Sequence, residues 1–69
     1  MTQQMQDKFR RMNDRLNELS QLNGNIARLA FYINENDISD MVRDTLKAQR
    51  GAMIQYRDLL EDRIINGSY

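Results

Sequence analysis

Four residues in the second half of the chain recur at intervals of seven and change from apolar to polar: Val42, Gln49, Tyr56 and Arg63. On a helix this spacing forms one column. A second column beside it is apolar and contains Leu46, Met53, Leu60 and Ile64. Polar groups at such a seam need partners from other copies, water or a ligand. We expect Arg63 either to be half-buried in an interface or to line a polar hole, and in either place an anion or a carboxylate would have to meet its charge.

A second group of chemically capable residues lies near the N-terminus, where Phe9 is surrounded by Lys8, Arg10 and Arg11. Cations bind phosphate, and a flat apolar ring can stack on a base. The alternative is that Phe9 belongs to an apolar seam while the cations extend to solvent. Periodicity by itself favours this alternative.

Catalytic chemistry finds little support in the composition. The chain has no histidine and no cysteine, so the most common general base and the common metal ligands are missing. Carboxylate pairs such as Asp58 with Asp62, or Asp14 with Glu18, are typical of a solvated helix surface. No glycine-rich phosphate loop is present. We therefore expect neither an enzyme nor a cofactor.

Length and charge narrow the function further. A chain of 69 residues forms one domain with a thin core, which favours oligomerisation. Ten basic and ten acidic residues balance, so we expect neither a nucleic acid polymer nor a membrane as partner. Without an apolar run that spans a bilayer or a signal peptide pattern, we expect a soluble cytoplasmic protein.

The positioning elements are two long helices. Steps of three and four join the apolar positions of the first half: Met5, Phe9, Met12, Leu16, Leu19, Ile26, Ala30 and Ile33. We predict an all-α antiparallel hairpin in which residues 1–69 form one helical domain. Helix one spans about 4–34 and helix two about 38–65, by periodicity. Beyond Asn25, Phe31 and Tyr32 widen the apolar surface, so this part is expected to be the best buried.

Weak helix formers mark special positions along both helices. Asn23, Gly24 and Asn25 predict a kink or local break in helix one, or else a close contact at the glycine. For Gly51 and Ala52, close helix packing is expected, with room for a ligand as the alternative.

The helix ends also carry signals. Asp37 with Asp40 resembles a weak capping arrangement after Asn34, Glu35 and Asn36, and Ile38 and Met41 are expected to pack against helix one. Asn66 and Gly67 predict a left-handed cap that closes helix two.

The pattern as a whole resembles a known family. Its parts are Leu22-x-x-x-Ile26-x-x-Leu29-x-x-x-Ile33, a loop with Ile38 and Met41, and Leu46-x-x-Gln49-x-x-Ala52-Met53-x-x-Tyr56-x-x-x-Leu60-x-x-Arg63-Ile64. From about Phe9 to Ile65 the chain resembles the anti-CBASS nucleotide sponges, small phage proteins that disarm cyclic-oligonucleotide antiphage signalling. The resemblance implies a helical homohexamer that binds cyclic dinucleotides and/or trinucleotides in the host cytoplasm and has no enzymatic activity.

The resemblance also implies two sets of ligand-binding residues. The dinucleotide pocket would use Phe9 as its aromatic residue, with Arg10 and Arg11 beside it. The family's lysine position is Asn25 here, and an amide cannot replace a charged contact to phosphate. Arg28, or Arg10 and Arg11 of a neighbouring copy, would have to supply the cation. The trinucleotide pocket would use the second-helix residues Gln49, Ala52, Tyr56 and Arg63.

Two other functions are compatible with the residues, and a third is disfavoured. A structural or adaptor coiled coil would use the polar column only to set register and partner choice. A sponge for another defence messenger, such as a cyclic ADP-ribose species, would keep the assembly and change the pocket. A nuclease would need a base or a metal cluster for which the sequence offers no candidate.

Overall fold

Two helices joined by a short connection make up the chain in the computed structural model, which describes residues 2–35 and 37–69. Helix α1 spans Gln3–Glu35 and helix α2 spans Asp40–Ile65. Cross-helix hydrogen bonds pair Arg43 with Ile33, Arg50 with Ile26, and Tyr56 with Glu18, so the helices run antiparallel. The predicted all-α hairpin is confirmed.

The helix starts are capped by hydroxyl side chains. The Oγ1 of Thr2 accepts the Met5 amide at 3.3 Å. At α2 the N-cap is Ser39, whose extended backbone lets its hydroxyl accept the Val42 amide at 3.3 Å. Capping by Asp37 is therefore a wrong prediction, although Asp40 does lie in the first turn, where a negative charge is favourable. Asn36 lies outside the described residues.

The end of α2 has the cap that the sequence predicts. Gly67 has a φ of 74°, and its amide donates to the Ile64 carbonyl at 3.2 Å, while the Ser68 amide donates to the Arg63 carbonyl at 2.7 Å. This pair of bonds is a Schellman motif, which satisfies carbonyls that no helical amide reaches. The predicted left-handed cap at Gly67 is confirmed.

Two arginines of α2 attach it to the main chain of α1. Arg43 Nη1 donates to the Ile33 carbonyl at 2.6 Å, and Arg50 Nε donates to the Ile26 carbonyl at 3.3 Å. The last turn of α1 has no basic residue of its own. Arg43 therefore supplies from α2 the cation that favours a helix C-terminus.

The core of the hairpin is thin. Only Ile26, Ile33 and Leu60 are buried among the described residues. The other predicted seam residues of α2, which are Leu46, Met53 and Ile64, are half-buried. Large hydrophobic residues that the structure shows exposed between residues 2 and 69, with residue 36 left out, number ten: Met5, Phe9, Leu16, Phe31, Tyr32, Met41, Val42, Tyr56, Leu59 and Ile65. Met41 does not pack against α1 as predicted, because it lies on the outer side of the first turn and is 79% exposed.

The glycines in the two helices have different surroundings. Helix α1 continues through Asn23, Gly24 and Asn25, so the local break does not occur. A Cβ at Gly24 would lie 3.3 Å from both terminal guanidinium nitrogens of Arg28, a side chain of the same helix. A Cβ at Gly51 would meet nothing within 4 Å. Close packing within the chain therefore does not explain Gly51.

Candidate functional site

The aromatic residue of the predicted dinucleotide set lies open to solvent on α1. Phe9 is 55% exposed and borders a shallow hollow of about 510 Å³. The remaining lining residues are Gln6, Arg10, Asn13 and Asp14. Arg10 forms an ion pair with Asp7 at 2.5 Å, whereas Arg11 is exposed and has no ion pair within residues 2–35 and 37–69. This surface offers a ring face with two cations near it, Lys8 and Arg11, that form no ion pair within the described ranges.

The second part of that set forms a small cluster around Gly24. Arg28 Nη2 donates to Asn25 Oδ1 at 2.6 Å, and the guanidinium lies against the backbone of Gly24. Because glycine has no side chain, the cation can approach the helix surface closely. The local sequence thus holds the Arg28 guanidinium beside Asn25 and Gly24.

These two parts are far apart within one chain. Phe9 and Asn25 are separated by sixteen residues of a continuous helix, a distance of about 24 Å at 1.5 Å per residue. A cyclic dinucleotide cannot touch both in a single hairpin. The structure therefore does not bring together the residues predicted for the dinucleotide pocket.

The residues predicted for the trinucleotide pocket all lie exposed on α2. They are Gln49, Ala52, Tyr56 and Arg63. Tyr56 is 45% exposed. Arg63 is exposed in the single hairpin, and its Nε donates at 3.2 Å to the Ser68 carbonyl, beyond the end of the helix. Gln49 and Arg63 are about 21 Å apart along the axis, so these two residues of one chain cannot both contact one small ligand.

A carboxylate from α1 organises the C-terminal end of this surface. The Tyr56 hydroxyl donates a short hydrogen bond to Glu18 Oε1, and Arg15 Nε lies 3.0 Å from Glu18 Oε2. The bond from Tyr56 is the main reason that the pKa of Glu18 lies below its ordinary value, against an opposing effect of desolvation; Arg15 and, more weakly, Arg63 also lower it. The same bond is the main reason that the pKa of Tyr56 is raised.

This group, which we call the Tyr56 cluster, comprises Arg15, Glu18, Tyr56 and Arg63. It combines one carboxylate, one phenol and two guanidinium groups on an open surface, and can bind a phosphate through its cations. Sequence reasoning missed Arg15 and Glu18. Their spacing of three indicates an ion pair on α1, but only the register of the hairpin places that pair opposite Tyr56.

The described residues contain neither a membrane-spanning helix nor a cluster of metal-ligating side chains. Neither helix, as far as the structure describes them, has an apolar stretch long enough to cross a bilayer. Across the described ranges, 2–35 and 37–69, no group of three or more acidic side chains is placed to hold a metal ion.

Comparison with known proteins places the chain in a family. No curated protein and no solved structure showed significant similarity to it. A family model described as Sequestin matches residues 7–66, which include nearly all of α1 and the whole of α2. The family comprises phage proteins that sequester a cyclic-nucleotide signal, which implies binding rather than catalysis. The chain therefore belongs to the Sequestin family.

Proposed function

We propose that this Sequestin binds host cyclic dinucleotides or trinucleotides of the CBASS antiphage system and holds them uncleaved, away from their effector. It acts in the host cytoplasm as a homohexamer. The observation that carries the proposal is the Tyr56 cluster, where an exposed aromatic ring is hydrogen-bonded to the carboxylate of the Arg15–Glu18 ion pair, with Arg63 two turns further along α2. A cyclic oligonucleotide presents the complementary groups, phosphates and flat bases.

The exposure of the predicted ligand residues supports sites that lie between chains. All nine are exposed in the single hairpin: Phe9, Arg10, Arg11, Asn25, Arg28, Gln49, Ala52, Tyr56 and Arg63. Because Phe9 and Asn25 are about 24 Å apart, a pocket that uses both needs two chains. In a symmetric assembly each contact to one half of a symmetric ligand is repeated for the other half.

The dimensions of the hairpin support self-association. Its Cα radius of gyration is 16.2 Å, whereas a compact domain of this length has about 11 Å. An elongated hairpin with so few buried side chains leaves much of its apolar surface in water. Association with further copies would bury that surface and stabilise the chain.

A sponge of this kind works by stoichiometry. Every messenger molecule that it holds is removed from signalling, so it must be present in excess and bind more tightly than the effector does. A tenfold advantage in affinity requires about 1.4 kcal/mol. The mechanism needs no general base, which agrees with a chain that lacks histidine.

Calorimetric titration against a panel of cyclic dinucleotides, cyclic trinucleotides and cyclic ADP-ribose species tests the proposal. The subunit number is fixed first by light scattering. The expected result is binding of a cyclic dinucleotide or trinucleotide, with fewer ligands than chains because the sites are shared. Chromatography of the denatured complex should return the nucleotide intact.

Variants then assign the sites. Arg63→Gln should weaken trinucleotide binding by about tenfold or more, because a charge-assisted contact to phosphate is lost. Arg28→Gln should do the same to dinucleotide binding. The matched control is Arg57→Gln, since Arg57 lies on α2, outside both sets, and pairs with the adjacent Asp58 at 3.3 Å.

Other outcomes identify the rival functions. Binding of only a cyclic ADP-ribose species would replace the messenger in the proposal. Silence across the panel from a folded oligomer would support an adaptor coiled coil. Recovery of a linearised nucleotide would indicate an enzyme. Unchanged affinity in Arg63→Gln would refute the assignment of the trinucleotide site.

A further inference from the structure

A second surface on the hairpin has binding features that the proposed sites do not use. An open cleft of about 290 Å³ lies between the C-terminal half of α1 and the first half of α2. We call it the Gly51 cleft. Its apolar walls are Ala30, Ile33 and Ile54, and its charged residues are Lys47 and Arg50. Its volume is close to the lower end of small-molecule sites, at about 300 Å³.

The charge at the Gly51 cleft is positive. Lys47 lies one turn after Arg43 and one turn before Arg50, so three cations follow one side of α2. Arg43 and Arg50 donate to main-chain carbonyls of α1 and not to carboxylates. Within the part of the chain that the structure describes, none of the three forms an ion pair, and no acidic residue lines the cleft. The carbonyl contacts provide no neutralising carboxylate, and Lys47 has no contact of this kind.

Gly51 keeps the cleft open. A glycine inside a helix weakens the helix, and here no neighbouring atom requires its small size, because a Cβ would meet nothing within 4 Å. The missing side chain instead leaves free space beside Lys47 and Arg50. A flat ring can lie there against the apolar walls.

We infer that the Gly51 cleft binds a phosphorylated nucleoside, with the phosphate at Lys47 and Arg50 and the nucleoside against the apolar walls. The charge complementarity of an anion with two unpaired cations selects the phosphate. The apolar walls favour a ligand that also carries a ring. The ligand can be a free mononucleotide or one unit of a cyclic oligonucleotide, which share this chemistry.

The three glycines of the chain give an NMR test in the assembled protein. Gly24 reports on the Asn25 and Arg28 cluster, Gly51 on the cleft, and Gly67 on the end of α2 beside Arg63. With label only in glycine, each amide gives one signal. The expected result is that millimolar adenosine monophosphate shifts the Gly51 signal most, and that adenosine or inorganic phosphate alone shifts it far less.

Variants of the cleft separate binding from folding. Lys47 is exposed and has no hydrogen bond or ion pair within the described ranges, so Lys47→Gln leaves the hairpin contacts intact. This variant should raise the Kd for adenosine monophosphate by about tenfold, whereas Lys47→Arg should retain binding. Gly51→Leu fills the cleft and should abolish binding. Gly51→Ala is its control for helix propensity and should bind more weakly than wild type but better than Gly51→Leu.

The possible outcomes each decide the inference. A Gly51 signal that does not move with adenosine monophosphate, or that moves equally in Lys47→Gln, would overturn it. So would a Gly51 signal that depends on protein concentration alone, because a second copy would then occupy the cleft. If a cyclic dinucleotide also shifts the Gly51 signal, the cleft binds one unit of the messenger. If it does not shift that signal, the ligand of the cleft is a free mononucleotide.

The same spectra keep this inference distinct from the proposed function. Shifts of Gly24 or Gly67 with cyclic oligonucleotides, without a response at Gly51, would support the sponge and refute the cleft. A response at Gly51 to adenosine monophosphate, with Gly24 and Gly67 unmoved by every cyclic oligonucleotide, would support the cleft and refute the sponge.

Discussion

The hydrogen bond from the Tyr56 hydroxyl to the Glu18 carboxylate joins the two helices and links the titration of one group to that of the other. Because the pKa of Glu18 is lowered in the folded chain, this carboxylate stabilises the fold above its unfolded-state pKa. The contribution is lost as the pH falls through the folded-state pKa. The pKa of Tyr56 is raised, so its contribution is present below its unfolded-state pKa and is lost as the pH rises through the folded-state pKa.

Replacing Tyr56 by phenylalanine tests this linkage. The pKa of Glu18 should rise toward its ordinary value, because the hydrogen bond from Tyr56 is the largest of the effects that lower it. The free energy of unfolding should also depend less steeply on pH in the acidic range. Carbon NMR of the Glu18 carboxyl group measures the first effect, and denaturant unfolding at a series of pH values measures the second.

Tyr69→Phe is the matched control, since Tyr69 contributes to a hollow beside Met5, Lys8, Phe9 and Met12 and not to the Tyr56 cluster. It should leave the titration of Glu18 unchanged. If the pKa of Glu18 is the same in Tyr56→Phe as in the wild type, the Tyr56 hydroxyl does not donate to Glu18 in solution.

At the scale of the helices, replacement of glycine by alanine is expected to change the stability of the chain in opposite directions at Gly51 and Gly67. Gly51→Ala should stabilise the chain by about 0.5 to 1 kcal/mol, because alanine favours the helix and a Cβ there meets nothing within 4 Å. Gly67→Ala should destabilise it by about 1 to 2 kcal/mol, because its φ of 74° lies in the left-handed region that disfavours a Cβ.

Denaturant unfolding of both variants beside the wild type, at one protein concentration, gives the two free-energy differences. Each variant serves as the control for the other, since both add the same methyl group. A destabilised Gly51→Ala would mean that assembly places another chain against Gly51. A neutral Gly67→Ala would mean that the Schellman motif does not contribute to stability.

At the scale of the whole molecule, the exposed apolar residues predict an assembly that a single charge can weaken. Leu59 is 63% exposed and Phe31 is 69% exposed, and burying such a side chain contributes about 1.5 to 3 kcal/mol. Leu59→Glu and Phe31→Glu should therefore reduce the subunit number measured by light scattering. The Tm of the wild type should rise with protein concentration, as it does when folding is coupled to association.

Gln21→Glu introduces the same charge at an exposed polar position of α1 and should leave the assembly intact. A wild-type Tm that does not depend on concentration, together with the mass of a single chain, would contradict self-association. The sponge would then lack sites shared between copies, and the dinucleotide set would stay divided.

Local patterns in the sequence are sufficient to predict the two helices and the cap that ends α2. The heptad spacing of apolar residues and the absence of proline predict two long helices, and Asn66 with Gly67 predicts the closing cap, because these signals act over a few neighbouring residues. The start of α2 was predicted wrongly, since the spacing of Asp37 and Asp40 indicates a cap at Asp37, whereas the extended backbone of Ser39 makes that residue the N-cap.

Only the folded hairpin shows which residues of the two helices contact each other. Glu18 lies opposite Tyr56, and Arg43 reaches the Ile33 carbonyl, because the register of the hairpin brings together positions that are distant in the chain. The structure likewise separated Phe9 from Asn25 along one continuous helix and left Gly51 beside open space. Periodicity defines the faces of each helix, whereas the alignment of two faces depends on packing across the whole hairpin.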